Sequence, residues 1–193
     1  MRVTDGSERE TLVIMLCGLP GSGKSTVAAE LVRRLGDVEV IATDVIGGRA
    51  GRYTKLRRQL EGLAGRRRYV VLDGTFFSRD VRDEVRKMGY PVLLTYLKCP
   101  LGVCLERNEA RRAGIPIKGV IGMQRRFEPP GDDERPLVIQ TDRTDPEAAA
   151  RRIYRAVVRT QAAGARGADS GDSKGSEQQG GTAEDGSNSG GDG

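Results

Sequence analysis

The sequence predicts an α/β fold of three layers, in which helices cover both faces of a five-stranded parallel sheet. Five short runs rich in Val, Ile and Leu have the continuous apolar character of strands that are buried on both faces. Helix-like segments separate these runs, and strands that alternate with helices specify a parallel sheet with right-handed crossovers. All of these segments lie within residues 1–160, a length that supports one well-buried core.

The elements follow one another in a regular order. Strands are predicted over Leu12–Cys17, Val38–Ala42, Tyr69–Leu72, Val92–Leu97 and Pro136–Ile139. Helices are predicted over Lys24–Leu35, Tyr53–Ala64, Arg79–Met88, Leu101–Arg112, Val120–Arg126 and Glu147–Arg159. Gly36 and Gly89 follow two of the helices, and Asp145-Pro146 precedes the last, as cap residues do. Since ligands of such sheets bind beyond the carboxyl ends of the strands, those ends are the places to look for chemistry.

The first strand is followed by GLPGSGKST, residues 18–26, which fits the phosphate-binding pattern G-x-x-x-x-G-K-[ST], also called Walker A. Glycines let the backbone amides approach phosphate oxygens, and the N-terminus of the next helix attracts anions. Lys24 is predicted to reach the β- and γ-phosphates, and the Ser25 hydroxyl to bind Mg²⁺. The residues predicted to hold ATP are Gly18, Pro20, Gly21, Ser22, Gly23, Lys24, Ser25 and Thr26. The alternative is a glycine-rich turn without a ligand, but the flanking strand and helix favour the nucleotide site.

Two aspartates follow the second and third strands. Asp44 is predicted to accept a proton from an attacking substrate hydroxyl or to orient it. The chain has no histidine, so a carboxylate must serve as base, although a turn aspartate that caps the next segment is the alternative. Asp73 ends an apolar strand at the usual Walker B position and is predicted to hold Mg²⁺ through water. Its alternative is an ordinary Asp-Gly turn.

Arginines provide the remaining candidate groups. Arg82 is a candidate to bind a phosphate or acidic group of the substrate, and Phe76 with Phe77 are candidates for an apolar pocket wall or for core packing. Arg107 and Arg111 lie four residues apart and share one helix face. They indicate an arginine-bearing helical lid over about residues 108–130, with Arg111 acting in catalysis and Arg107 binding the nucleotide. The alternative is a pair of surface arginines near a helix C-terminus.

The composition changes at residue 161. Residues 161–193 lack large apolar side chains and carry two basic against six acidic residues, so they are predicted to form a disordered, acidic, Gly/Ser-rich tail. The whole chain carries a net charge of +5, so the domain over residues 1–160 is strongly basic and favours anionic ligands. No signal peptide or membrane-length apolar run is visible. We expect a cytoplasmic protein without a membrane partner, either a monomer or a homodimer.

Taken together, these residues resemble the P-loop kinases, and specifically the catalytic domain of archaeal L-seryl-tRNA(Sec) kinase and its relatives. The shared stretches are GLPGSGKST, ATDVI, VVLDGT with Arg82 downstream, and YLKCPLGVCLERNEARRAGIPIKGVIGMQRRFEPPG. The resemblance implies a nucleotide-kinase-like P-loop NTPase fold and transfer of the γ-phosphoryl group of Mg-ATP to a hydroxyl acceptor. It implies that Asp44 is the catalytic base and that Arg107 and Arg111 close over the phosphates. Those kinases carry a further helical domain that grips tRNA, and we expect no counterpart of it after residue 160, so the resemblance leaves open whether the acceptor is tRNA-linked or another anionic molecule.

Two other functions stay open at this stage. The sequence also resembles adenylyl-sulfate kinases of sulfate assimilation, through GLPGSGKST, the Pro-Leu-x-Val-Cys stretch at 100–104 and Ile-Lys-Gly at 117–119. This second resemblance is incomplete. The motifs that adenylyl-sulfate kinases carry after the second and third strands are replaced in this chain by Ala42-Thr43-Asp44-Val45 and Asp73-Gly74-Thr75. The other function is an ATPase binding module that acts with RNA or a protein partner.

Overall fold

The computed structural model describes residues 10–43, 51–111 and 114–169. In this part of the chain five parallel strands form one sheet, in the order β2-β3-β1-β4-β5. The strands are β1 Leu12–Cys17, β2 Val38–Ala42, β3 Tyr69–Asp73, β4 Val92–Lys98 and β5 Leu137–Gln140. The helices are α1 Lys24–Leu35, α2 Arg52–Leu63, α3 Arg79–Arg86, α4 Leu101–Glu109, α5 Ile117–Arg126 and α6 Pro146–Asp169, with a 3-10 turn at Asp132–Glu134. The predicted fold class is confirmed.

Strand β1 lies at the centre of the sheet, between β3 and β4, and all six of its residues are buried. Successive residues of a strand point to opposite faces, so its side chains enter two separate apolar clusters. One cluster includes Leu31 of α1 and Ile153 of α6, and the other includes Leu60 of α2 and Val85 of α3. This double coverage explains the uninterrupted apolar run of β1 and produces the three layers.

Helix α6 is longer than the sequence indicated. The predicted end was Arg159 and the predicted disordered tail began at residue 161, but the helix continues to Asp169. Residues 161–169 are therefore helical, because an established helix extends at little cost through favourable residues such as Ala162 and Ala168. Residues 170–193 of the predicted tail lie outside the described residues. Even this 24-residue helix is too polar for a bilayer, and no other helix of the described chain could cross one either.

The parallel arrangement brings several strand ends to one edge of the sheet. Leu16 of β1 lies opposite Asp73 of β3, and Cys17 lies opposite Tyr96 of β4. Thr141, directly after β5, donates its backbone N–H to the carbonyl of Lys98 at the end of β4. The loops that leave these strands therefore surround the glycine-rich loop that follows β1.

Candidate active site

In the loop after β1, glycine is required at positions 21 and 23 for different structural reasons. Both have positive φ angles, 84° at Gly21 and 93° at Gly23, a region that disfavours other residues. A Cβ on Gly21 would collide with the carbonyl oxygen of Cys104 in α4, so the loop and α4 touch backbone to backbone. A Cβ on Gly23, the N-cap of α1, would meet no atom of the described chain within 4 Å. Gly23 therefore leaves open space at the positive end of α1, where a phosphate can approach.

Lys24 is buried against the loop that carries it. Its Nζ donates hydrogen bonds to the carbonyl oxygens of Gly18 and Leu19, each at 2.9 Å. The Ser22 hydroxyl is fully buried and has no hydrogen-bond partner within the described residues. A buried hydroxyl without a partner is costly, so this loop has an unmet polar group that an anion inside the loop would satisfy. Ser25 and Thr26 are exposed in the first turn of α1.

Asp73 ends β3 beside the loop, as the sequence predicts. Asp73 lies opposite Leu16 of β1 and Ala42 of β2 in the sheet. Its backbone carbonyl accepts a 3.3 Å hydrogen bond from the Thr43 hydroxyl. The carboxylate of Asp73 and the exposed hydroxyl of Ser25 are oxygen ligands of the kind Mg²⁺ prefers. The donor set therefore fits Mg²⁺, which usually takes one or two protein ligands together with phosphates and water. Asp44, the predicted base, lies outside the described residues.

Arg82 does not face a cavity. Its side chain is fully buried, and its Nε and Nη2 form a bidentate ion pair with the Glu134 carboxylate at 2.8 Å and 2.6 Å. Its Nη1 donates to the carbonyl oxygens of Phe76 and Glu128. These internal partners occupy the guanidinium, and the predicted contact of Arg82 with a substrate stays a prediction. Hydrogen bonds from Arg82, opposed by burial, hold the pKa of Glu134 at about 2.

Arg107 and Arg111 line a cavity of about 550 Å³, here called the nucleotide cavity. The nucleotide cavity is bounded by the glycine-rich loop, α1, α4 and the segment after β5, namely Gly21, Gly23, Thr26, Val27, Arg107, Ala110, Arg111 and Thr141–Pro146. Arg107 Nη2 donates to the carbonyl of Thr141 at 2.9 Å, which joins α4 to the segment after β5. Sequence reasoning missed Thr141–Pro146 as site residues, although their place at the carboxyl end of a parallel strand was a usable signal.

A second cavity, of about 380 Å³, lies at the ends of β2 and β3 and is here called the aromatic cavity. Its lining comprises Thr43, Tyr53, Leu56, Thr75, Phe76, Phe77, Val81, Ile115, Met123 and Arg126. The guanidinium of Arg126 lies 5.8 Å from the centre of the Phe77 ring, within range of a cation–π contact. Phe76 has a φ of 44°, which is unusual for an aromatic residue and is found mostly where other contacts enforce it.

The predicted lid is fixed at both of its ends. At the start, the buried Asn108 side chain donates to the Ile115 carbonyl at 2.6 Å and accepts from the Ile115 N–H at 3.0 Å. At the end, the Glu128 N–H donates to the Phe77 carbonyl at 2.7 Å, and the Phe127 ring stacks on Tyr96. Residues 112–113 lie outside the described residues. Helix α5 thus forms one wall of the aromatic cavity through Met123 and Arg126, and both of its ends are anchored.

The buried thiols are unsuited to nucleophilic chemistry. Burial raises the pKa of Cys17 and of Cys104 to about 12, so both remain protonated at neutral pH. A thiolate is the reactive form of cysteine. The two thiols therefore act as small apolar groups next to the glycine-rich loop, and the chemistry of this edge rests on oxygen and nitrogen groups.

Comparison with known proteins gives a consistent result. A family model described as an AAA domain matches residues 13–130. An adenylyl-sulfate kinase of Rippkaea orientalis is 29% identical, over 76% of this chain and 91% of the relative. An L-seryl-tRNA(Sec) kinase of Methanococcus maripaludis is 24% identical, over 62% of this chain and 54% of the relative.

A solved structure of a gluconokinase from Sinorhizobium meliloti shares the fold. It superposes with a TM-score of 0.65 at 17% identity, over 83% of this chain and 98% of the gluconokinase. The predicted resemblance to P-loop kinases, including adenylyl-sulfate and L-seryl-tRNA(Sec) kinases, is confirmed by these matches.

Proposed function

Since the chain belongs to the AAA domain family whose model matches residues 13–130, we propose that it transfers the γ-phosphoryl group of Mg-ATP to a hydroxyl group of an anionic acceptor. The chain is a P-loop kinase, an ATP-dependent phosphotransferase with an alcohol group as acceptor. The observation that carries the proposal of an anionic acceptor is a pair of cavities at the carboxyl ends of the strands, of which one is lined by the glycine-rich loop. The nucleotide cavity adjoins that loop and α4, and the aromatic cavity adjoins the ends of β2 and β3.

The nucleotide cavity suits ATP. The adenosine part would lie between Arg107 and the Thr141–Pro146 segment, with the phosphates over Gly21, Gly23 and the N-terminus of α1. Lys24 would exchange its bonds to the loop carbonyls for the β- and γ-phosphate oxygens. Ser25 and Asp73 would hold Mg²⁺, which supplies neutralisation of the phosphate charge when it is bound.

The aromatic cavity suits the acceptor. The faces of Phe76 and Phe77 offer an apolar surface to a flat ring, while Arg126 provides a positive charge for an anionic group. In this proposal Asp44 accepts the proton from the acceptor hydroxyl, and the acceptor oxygen attacks the γ-phosphorus. The bond between the γ-phosphorus and the β–γ bridging oxygen breaks, and ADP leaves. Arg111 stabilises the negative charge on the transferred group, which is the largest contribution a kinase makes besides positioning.

Adenylyl sulfate is the first acceptor to test, because it carries an adenine ring and an anionic group. The match to the Rippkaea orientalis adenylyl-sulfate kinase also spans most of both chains. L-seryl-tRNA is the second, because α2, which lines the aromatic cavity through Tyr53 and Leu56, exposes three cations. These are Lys55, Arg57 and Arg58, and a polyanionic acceptor would meet them outside the cavity.

The experiment measures label transfer from [γ-³²P]ATP to adenylyl sulfate, L-seryl-tRNA or gluconate. We expect labelled product with one of the two adenosine-containing acceptors and none with gluconate. Arg126→Ala should lower kcat/KM for that acceptor by at least ~10-fold, since it removes a charge-assisted contact. The control Arg125→Ala, an exposed neighbour on the same helix that does not line the cavity, should change it less than ~2-fold. Transfer to gluconate alone, or equal effects of the two variants, would contradict the assignment of the aromatic cavity.

A further inference from the structure

A fully buried arginine lies behind the aromatic cavity rather than in it. Arg82 does not line either cavity, yet its guanidinium makes four hydrogen bonds. Two go to the Glu134 carboxylate, and the others, at 3.1 Å and 2.9 Å, go to the backbone carbonyls of Phe76 and Glu128. We call Arg82, Glu128 and Glu134 the Arg82 clamp.

The clamp joins two segments that are far apart in sequence. Phe76 belongs to the segment after β3, whereas Glu128 and Glu134 follow α5. Further bonds reinforce the junction: the Arg79 N–H donates to the Glu128 carboxylate at 3.0 Å, and the Gly131 N–H donates to the Glu134 carboxylate at 3.2 Å. The cavity wall and the end of the lid are therefore held by one buried guanidinium.

The Arg82 clamp contacts Phe76, which has an unusual backbone conformation in the wall of the aromatic cavity. Phe76 has a left-handed φ of 44°, and Arg82 bonds to its carbonyl oxygen from the buried side. A residue in this region persists only where surrounding contacts enforce it. A planar guanidinium that donates several hydrogen bonds at once can hold a backbone carbonyl in one orientation.

We propose that Arg82 is a positioning residue for the acceptor: it fixes Phe76 and Phe77 in the orientation that forms the wall of the aromatic cavity, and it fixes the C-terminal end of the lid against that wall. Arg82 touches no substrate in this scheme and acts through the backbone of Phe76 and Glu128. The proposal rests on the proposed function in so far as the aromatic cavity receives the acceptor. The nucleotide cavity shares no residue with the clamp.

Steady-state kinetics of Arg82→Lys with ATP and adenylyl sulfate, or with whichever acceptor the label-transfer assay identifies, test the role. Lysine keeps the positive charge but lacks the planar guanidinium with its several N–H donors. It therefore cannot donate to the Glu134 carboxylate and to the carbonyls of Phe76 and Glu128 at the same time. The acceptor KM should rise at least ~10-fold while the ATP KM changes less than ~2-fold. Arg86→Lys is the matched control, because Arg86 Nη1 also bonds to Glu134, at 2.9 Å, but contacts neither Phe76 nor Glu128. An equal rise in both KM values, or the same rise with Arg86→Lys, would overturn the proposal.

If Arg82→Lys does not fold, the double variant Arg82→Met/Glu134→Leu takes its place. Replacing a buried ion pair by apolar residues of similar volume often preserves the fold, but it leaves the Phe76 and Glu128 carbonyls without their donor. We expect the same selective rise in acceptor KM. A folded double variant with the wild-type acceptor KM would contradict the positioning role.

Hydrogen exchange without any acceptor separates this proposal from the proposed function. The amides of Arg79, Glu128 and Gly131 are each bonded within or beside the clamp. In Arg82→Lys all three should exchange at least ~10-fold faster, and in Arg86→Lys less than ~3-fold faster. Unchanged exchange rates in Arg82→Lys would contradict the Arg82 clamp, whichever reaction the protein catalyses. Fast exchange in a protein that phosphorylates no acceptor would leave the clamp intact and contradict only the kinase assignment.

Discussion

Lys24 has the most closely defined surroundings of the predicted catalytic residues, since two loop carbonyls hold its ammonium group. Lys24→Ala should lower kcat by at least ~100-fold, because the charge that follows the transferred phosphoryl group is lost. The melting temperature should change little by comparison. Lys98→Ala, at an exposed strand end, is the control and should keep the wild-type kcat. A Lys24→Ala protein with normal turnover would contradict the phosphate-loop assignment.

Asp73 is the residue on which the magnesium assignment depends. Asp73→Asn keeps the shape of the side chain but weakens its hold on the metal or its water ligands, so half-maximal turnover should require more Mg²⁺. The rate at saturating Mg²⁺ should approach that of the wild type. The exposed Asp80, on α3, provides the control variant Asp80→Asn. The magnesium role fails if titrations of the two variants coincide.

Among the elements, the 3-10 turn that carries Glu134 should give the protein a measurable acid sensitivity. Hydrogen bonds from Arg82 lead the causes that lower the pKa of Glu134 from 4.5 to about 2, so the folded carboxyl binds its proton less readily than the unfolded one. This contribution to stability is present above the unfolded pKa and is lost as the pH falls towards about 2. Its size is on the order of 3 kcal/mol.

Urea unfolding of Glu134→Gln tests this sign and size. The variant should lose about 3 kcal/mol of unfolding free energy at pH 6 and less at pH 3, because the wild type itself weakens there. Glu84→Gln removes an exposed ion pair with Lys87 and should cost less than ~1 kcal/mol at either pH. A difference between Glu134→Gln and the wild type that grows as the pH falls would contradict the assigned ion pair.

The elements also show what could be predicted from the sequence. The bounds of β1 and α1 were predicted correctly. The apolar run of β1 ends at the glycine-rich loop, and glycines flank α1 at both of its ends. The ion pair of Arg82 with Glu134 could not be predicted, since the two residues are 52 positions apart and no local pattern marks such a pair. The hydrogen bonds between the Asn108 side chain and Ile115, at the start of the predicted lid, could not be predicted either, because helical spacing does not reveal them.

Across the whole chain, the proposed nucleotide side of the site was more predictable than the proposed acceptor side. The phosphate loop is a contiguous motif, so its residues and their order follow directly from the sequence. The aromatic cavity instead collects Tyr53, Phe76, Ile115 and Met123 from separate elements. Phe76 and Phe77 were predicted either as a pocket wall or as core, and only the packing of α2 and α5 around them forms the cavity.

The tail provides a further prediction for the whole chain. A truncation after residue 169 keeps all of α6 and removes a segment that has no large apolar side chain. Such a segment gains too little from burial to offset its ordering, so melting temperature and ATP KM should stay unchanged. A truncation after Arg159, which removes the last part of α6, is the comparison. A loss of stability in the longer form would show that residues 170–193 pack on the domain.

The fate of the γ-phosphoryl group distinguishes phosphoryl transfer to a hydroxyl acceptor from hydrolysis of ATP by water. Released phosphate and labelled acceptor are measured together from [γ-³²P]ATP, with adenylyl sulfate, with L-seryl-tRNA and with neither. We expect ADP formation to depend on the acceptor and to equal the labelled acceptor formed, with little free phosphate. ADP formation that proceeds equally without an acceptor and yields only free phosphate, or that rises with unacylated RNA, would contradict it and identify an ATPase module.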